Sequence, residues 1–468
     1  MLKKDLKDKD VDLTQGSITK NLLRMSLPTM LGFLFQTAYD LVDIMWIGRI
    51  SAKAIAAVTI FTTIFWTVDI LNEIIGTSSV SLISQSYGSG DMEKTQVAIE
   101  QTLTFKAFVA VIAAIIMLII LKPLLRIFST DPQVLKQALD YGYIRIFFLP
   151  IMFSSFSVNT AFRCIGQAGK PMKIMIIASI TNIILDPIFM FDKITIPIFG
   201  ITKVSIPGFN LGIFGAALAT VISVTLAFSI GFFIFITGRE KIKISIKGLF
   251  KLNWPVDKKL LTIGLPSGFE MLTRNLANVF TLRFVKVYGT AAIAAMGIGG
   301  KLFNFAFMPL VGLSMGGSAI VGQCLGKKNI DRAKETSKKA SLMGAITMLV
   351  VSGFAIAFSK YIMKIFTNDI EVISIGVPMI RISISGLIVI AIAMGFGTAF
   401  SGSGYNIPFF VSSLISRWLV QLPVLFLITV IYKVNIKWIW IVFLVVDFME
   451  FLVLSIFYKK GKWKKKTV

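Results

Sequence analysis

The chain has 468 residues, 55% of them hydrophobic, with a mean hydropathy of +0.80 and 48 Lys and Arg against 24 Asp and Glu, a net charge of +24. That apolarity excludes an ordinary soluble domain and leaves a polytopic membrane protein, in which lysines at segment ends and in loops read as interfacial anchors rather than a nucleic-acid surface. Histidine is absent, so proton exchange near neutral pH falls to carboxylates; Cys164 and Cys324, without CxxC spacing, support neither a disulfide framework nor a metal site.

The N-terminal stretch MLKKDLKDKDVDLTQGSITK has no cleavable signal pattern, and the first apolar run is too long for a signal core, so the first helix is expected to stay. Apolar runs of spanning length, separated by Gly, Pro or basic clusters, predict an all-α fold of about twelve helices. They fall at 19–48, 53–87, 92–121, 132–166, 170–191, 211–237, 258–287, 290–325, 330–357, 369–402, 406–432 and 436–458. An even number puts both termini on one side. The tail with Lys3, Lys4, Lys7 and Lys9, the loop from Gly238 to Lys259, the loop GKKNIDRAKETSKK and the final KKGKWKKK all lie there, which the positive-inside rule makes cytoplasmic.

Helix one carries TAYDLVDIMWIG, where Asp40 and Asp43, three residues apart, share one face. A carboxylate at bilayer depth costs at least about 2.5–3.5 kcal/mol on insertion scales, so such residues normally face a wet cavity or a partner and mark an ion or substrate pathway. Pro28, inside the same helix, removes a backbone hydrogen bond and is a candidate hinge or a static bend. Helix two contains WTVDILNEIIG, with Asp69, Asn72 and Glu73 on one face near the bilayer centre. These are a second candidate ion or cationic-substrate site, or the partners of a base such as Arg274, Lys301 or Arg417. In ITNIILDPIFMFD of helix five, Asn182 and Asp186 are four apart. With Asp43 they could share an outer-half pocket, holding sodium or a proton, unless Asp186 only caps a helix end before Pro187. In helix seven Glu270 precedes Arg274 by four, an internal ion pair by spacing. Asp447 and Glu450 of the last helix are further acids, and twenty methionines with forty phenylalanines suit a packed or adaptable apolar interior.

An internal repeat runs at a constant offset of 238 residues: Leu27-Pro28 on Leu265-Pro266, Ala54–Ala57 on Ala292–Ala295, Gln85 on Gln323, Gly88 on Gly326, Thr160–Phe162 on Thr398–Phe400 and Gly166 on Gly404. Two six-helix copies in parallel orientation follow: an N-lobe at 19–237 and a C-lobe at 258–458, joined by the loop 238–257 and flanked by tails 1–18 and 459–468. A substrate pathway between the lobes is the consequence. Asp40 aligns with Asn278, Asp43 with Thr281, Asp69 with Phe307 and Glu73 with Val311, so the intramembrane acids concentrate in the N-lobe. No phosphate loop, zinc spacing or nucleophile triad is present, which argues against an enzyme and against primary active transport by this chain alone.

The segments YDLVDIMWIGR, AIAAV, SQSYGSG, AFRCIGQAGKP, NIILDPIF and GIFGAALATVIS resemble the prokaryotic multidrug and toxic compound extrusion family over essentially the whole chain. The resemblance implies a V-shaped pair of six-helix bundles, without cofactor, exporting cationic amphipathic compounds across the cell membrane in exchange for protons or sodium. It makes Asp43 the coupling carboxylate, Asp186 and Asn182 its partners, Asn159 and Thr220 contributors from helices four and six, and Pro28 the bending proline. The sodium-coupled branch has a helix-seven glutamate where this chain has Arg274, a slot that Glu270 does not fill. Asp40, Asp69 and Glu73 are additional acids. The partners expected are a small cationic substrate and the bilayer, not nucleic acid, with the chain a monomer. A flippase of lipid-linked precursors is the alternative, for which extra helices and a strongly cationic cavity would be expected.

Overall fold

The computed structural model describes residues 12–198, 202–238, 242–466 and 468, over 194–198 and 202–206 by the backbone alone, and the tail lysines Lys3, Lys4, Lys7 and Lys9 lie outside the described residues. The N-terminal half consists of α1 (Ile18–Ile50), α2 (Ala52–Gly88), α3 (Met92–Phe128), α4 (Pro132–Phe147), α5 (Leu149–Cys164), α6 (Gly169–Met190) and α7 (Gly212–Ile236). The C-terminal half consists of α8 (Trp254–Val285), α9 (Thr290–Gly326), α10 (Ile330–Ala357), the short α11 (Ser359–Phe366), α12 (Ile370–Ser383), α13 (Gly386–Ser403), α14 (Ile407–Ile431) and α15 (Lys437–Lys460). Among the described residues ten helices are long and apolar enough to cross a bilayer singly, and the bent pair α4–α5 makes an eleventh. The remaining span of the twelve is α8, 32 residues long, while α12 precedes α13 on the tenth.

The repeat extends to the helix starts. Asp91 caps α3 by accepting from the Lys94 backbone N–H, and Asn329, its counterpart at the same offset, caps α10 by accepting from Arg332. Asp131 and its counterpart Asp369 likewise accept from the first free N–H groups of α4 and α12. An oxygen at that position satisfies donors that have no partner within the helix.

Several boundaries differ from the sequence expectation. The fourth span is not one helix over 132–166: it breaks at Phe148 and bends by 54°, with Pro150 in the first turn of α5, where a proline is tolerated but cannot continue the preceding helix. The tenth span, expected unbroken over 369–402, is interrupted between Ser383 and Gly386. In α14 the stretches Leu414–Gln421 and Leu427–Ile431 are wound as π-helix. Helix α3 runs seven residues past its expected end at 121, and α8 starts at Trp254 rather than at 258. An unexpected antiparallel hairpin, β1 (Lys193–Ile198) and β2 (Thr202–Pro207), joins α6 to α7.

The loop between the lobes docks on α3. Gln101 donates to the Lys251 carbonyl (2.7 Å) and accepts from the Asn253 N–H (2.8 Å), and Thr104 donates to the Leu249 carbonyl (2.7 Å). Each lobe has its own core, around Phe61, Leu121, Tyr141 and Phe153 in the first and Met348, Met363, Met379 and Trp440 in the second. The lobes meet through α1 and α2 against α8 and α9, in the half nearer the chain termini. Glycines make that approach possible: a Cβ at Gly264 would strike the Ile74 carbonyl, one at Gly312 the Ser26 carbonyl (2.7 Å), and one at Gly316 the Met25 side chain (2.8 Å). In the opposite half an open apolar cleft of about 550 Å³ separates α1 and α2 from α8, lined by Ile44, Thr59, Trp66, Leu272, Asn275 and Val279.

Candidate functional site

Three N-lobe helices bring the acids of α1 and α6 together. Asp186 is fully buried, Asp43 is 8% exposed, and the two carboxylates lie close enough to interact electrostatically. Asn182, one helical turn before Asp186, lies on the same face of α6, and Thr220 of α7 closes the group; both are buried. In the amide orientation that satisfies both neighbours, Asn182 donates to Asp186 Oδ2 (3.1 Å) and accepts from the Thr220 backbone N–H (3.3 Å). The Thr220 hydroxyl donates to the Ala216 carbonyl, so its oxygen keeps accepting capacity. Asp43 Oδ1 is buried without a hydrogen-bond partner among the described residues. Two carboxylates that interact in a poorly solvated interior repel each other when both are charged, and the unpaired Asp43 oxygen keeps its capacity to accept. Asn159 of α5 is half-buried and its Oδ1 is also unpaired, but no hydrogen bond ties it to this group.

Sequence reasoning missed Arg145. It lies on α4 just before the break at Phe148, donates from Nη1 to the Tyr141 hydroxyl (2.9 Å), and places its guanidinium 5.1 Å from the Phe65 ring centre and 5.4 Å from that of Tyr141. It acts electrostatically on both Asp40 and Asp43. Asp40 itself is exposed rather than enclosed with Asp43. The signal was available as a single arginine inside YGYIRIFFLP, an apolar stretch where a charge needs a partner.

Asp69, Asn72 and Glu73 form a second group on α2. Asn72 donates to Asp69 Oδ1 (3.0 Å). The base that acts on both acids is Lys106 of α3, in the same lobe, rather than Arg274, Lys301 or Arg417. Lys106 is fully buried, its Nζ lies 4.7 Å from the Phe156 ring centre and has no hydrogen-bond partner among the described residues. Arg163, buried on α5, stands on the same ring at 6.0 Å.

The C-lobe charges pair with one another. Arg274 donates to Glu270 (2.6 Å) and to Glu450 of α15 (3.0 Å), and Arg417, in the π-wound part of α14, lies 3.9 Å from the other Glu450 oxygen. Glu270 still faces Glu73 across the lobes closely enough to interact with it. Helix α1 continues through Pro28 without a break.

A family model described as MatE matches residues 28–188 and 266–427, one match on each copy of the repeat. The chain belongs to the MatE family. This MatE protein is 27% identical over 459 residues to the probable multidrug resistance protein YoeA of Bacillus subtilis, covering 97% of this chain and 96% of that one. It is 24% identical to the probable multidrug resistance protein NorM of Thermotoga maritima, covering 96% and 94%, and 22% identical to the multidrug export protein MepA of Staphylococcus aureus, covering 89% of each. Among solved structures, a MATE in the bent conformation superposes with a TM-score of 0.87 at 21% identity, covering 98% of this chain and 99% of that one. A transporter of the wider MOP superfamily from Pyrococcus furiosus also reaches 0.87, covering 97% of each chain. The architecture is therefore the V-shaped fold of these membrane transporters, with two six-span lobes.

Proposed function

We propose that this MatE protein is a secondary antiporter that exports cationic amphipathic compounds and that the coupling cation, a proton or sodium, is held between Asp43 and Asp186. The observation that carries the reading is the juxtaposition of these two buried carboxylates with Asn182 and Thr220, one Asp43 oxygen being left without a partner. Sodium would find carboxylate, amide and hydroxyl oxygens there; a proton would be shared between the carboxylates. Arg145 supplies a fixed positive charge beside the site, so the carboxylates are not left uncompensated when the mobile cation departs. A cation that binds one of two lobe arrangements better than the other shifts their populations by that difference, and this links ion movement to substrate movement. The open cleft lined by Trp66, Leu272 and Val279 supplies the apolar surface, and exposed Asp40 the negative charge, that an amphipathic cation would use. The lysine-rich termini lie on the cytoplasmic side in this reading.

The test is ethidium efflux from proteoliposomes holding wild type or Asp43→Asn, driven in turn by an imposed pH gradient and an imposed sodium gradient. Wild type responds to one gradient and the mutant to neither. Unchanged coupled efflux by the mutant would remove the N-lobe site from the mechanism.

A further inference from the structure

The half of the molecule nearer the termini is held shut by a pair of contacts related by the internal repeat. Gln85 of α2 reaches out of the N-lobe and donates from Nε2 to the Gly402 carbonyl of α13 (3.0 Å). Gln323 of α9 reaches out of the C-lobe and donates from Nε2 to the Cys164 carbonyl of α5 (2.7 Å). The repeat that places Gln85 on Gln323 also places Cys164 on Gly402, so these are the same hydrogen bond made twice, once in each direction. Both side chains are buried, at 4% and 2% exposure. The backbone approach is reciprocal too: a Cβ at Gly88 would strike the Gln323 backbone, and one at Gly326 would strike the Gln85 backbone. The C-terminal residue adds a further tie, because the Val468 N–H donates to Gln85 Oε1 (3.0 Å) and Lys94 donates to the Val468 carbonyl (2.9 Å).

We infer that Gln85 and Gln323 form a reciprocal latch that sets how often the termini-side face opens. The inference rests on the two-state transport reading above. Opening this face separates α2 from α13 and α9 from α5, which breaks both amide bonds together and leaves four buried polar groups to be rewetted. A buried hydrogen bond is lost at a cost of ~1 kcal/mol, and a carbonyl left dry costs more. Both bonds span the same seam between the lobes, so one swing of the lobes releases them together.

The chain carries its own reporters. Its only two cysteines, Cys164 and Cys324, lie at this latch with their residues 1% and 0% exposed, so a maleimide reaches them only when the face opens. The experiment measures maleimide labelling of each cysteine by peptide mass spectrometry in the full chain, together with the thermal midpoint. Gln85→Met and Gln323→Met keep side-chain length and remove the amide. Gln323→Met should speed labelling of both cysteines about fivefold, Gln85→Met, which also loses the Val468 bond, by at least that factor, and the pair together by at least about twenty-five-fold, at the tenfold per 1.4 kcal/mol conversion. Gly326→Ala, which wedges the same contact by bulk, should accelerate labelling with both glutamines intact. Rates within twofold of wild type in both Met variants overturn the latch, and so does acceleration that only follows a fall in thermal midpoint. Because labelling does not depend on what is transported, failure of ethidium efflux with accelerated labelling would reject the antiporter reading and leave the latch standing.

Discussion

Replacing Arg274 by methionine tests whether the C-lobe charges are architecture. The guanidinium bonds Glu270 at 2.6 Å and Glu450 at 3.0 Å, and its loss leaves Arg417, 3.9 Å from Glu450, as the nearest remaining base to that carboxylate. Breaking a buried pair by removing one partner costs about 3–5 kcal/mol, because the other charge stays desolvated. The Arg274 side chain is 35% exposed, so water screens part of the effect and the lower end, about 3 kcal/mol, applies. For a lobe of this size about 2–4 °C is lost per kcal/mol, so the thermal midpoint should fall by about 6–12 °C. Tryptophan fluorescence in detergent on heating reads it, since Trp418 and Trp440 both lie in the C-lobe. Adding Glu450→Gln to the variant should recover part of the loss. A fall below about 2 °C, or no recovery in the double variant, would refute the claim that these charges are held by mutual pairing.

Lys106 and Glu73 should be coupled: in a double-mutant cycle of Lys106→Met and Glu73→Gln, an interaction of about 1–3 kcal/mol in unfolding free energy is expected, and additivity would place the base elsewhere. Gly264→Ala, whose Cβ meets the Ile74 carbonyl, should destabilise by about 1–3 kcal/mol, whereas Gly353→Ala at an exposed position of α10, with nothing near its Cβ, should be neutral or stabilise by about 0.5–1 kcal/mol; equal midpoints for the two would contradict the close lobe crossing. Outside the membrane, burial pushes the Asp12 carboxyl up, but the Lys327 ammonium and the Thr14 hydroxyl and N–H outweigh it and hold it below 3.8. The N-terminal tie to Lys327 is thus present at neutral pH and is lost only as pH falls through that lowered value. Lys327→Met should remove the tie at every pH, so that acid-protease cleavage of the 12–17 segment is raised and no longer steps up as Asp12 is protonated; a profile the same as wild type would exclude the pair.

Much of the candidate site was legible because intramembrane carboxylates are few and helical spacing decides which share a face. Asp43, Asn182 and Asp186 could be selected that way, and Thr220 entered only through the family resemblance. Arg145 and Lys106 were overlooked because each sits on a different helix from the acids it faces. No spacing rule within one helix connects α4 with α1 or α3 with α2. The bases offered as alternative partners of Asp69 and Glu73, namely Arg274, Lys301 and Arg417, all lie in the C-lobe, whereas the structure sets Lys106 of the N-lobe beside both acids.

The chain's apolar runs and its 238-residue repeat determine twelve spans in two parallel copies, since bilayer thickness sets helix length and duplicated sequence implies duplicated structure. Only the tertiary structure decides where the fourth and tenth spans break, which base faces which acid, and that Gln85 and Gln323 reach across to carbonyls of the opposite lobe. Those facts depend on how closely helices remote in sequence approach and at what angle, and glycine contacts such as Gly264 on Ile74 set that approach.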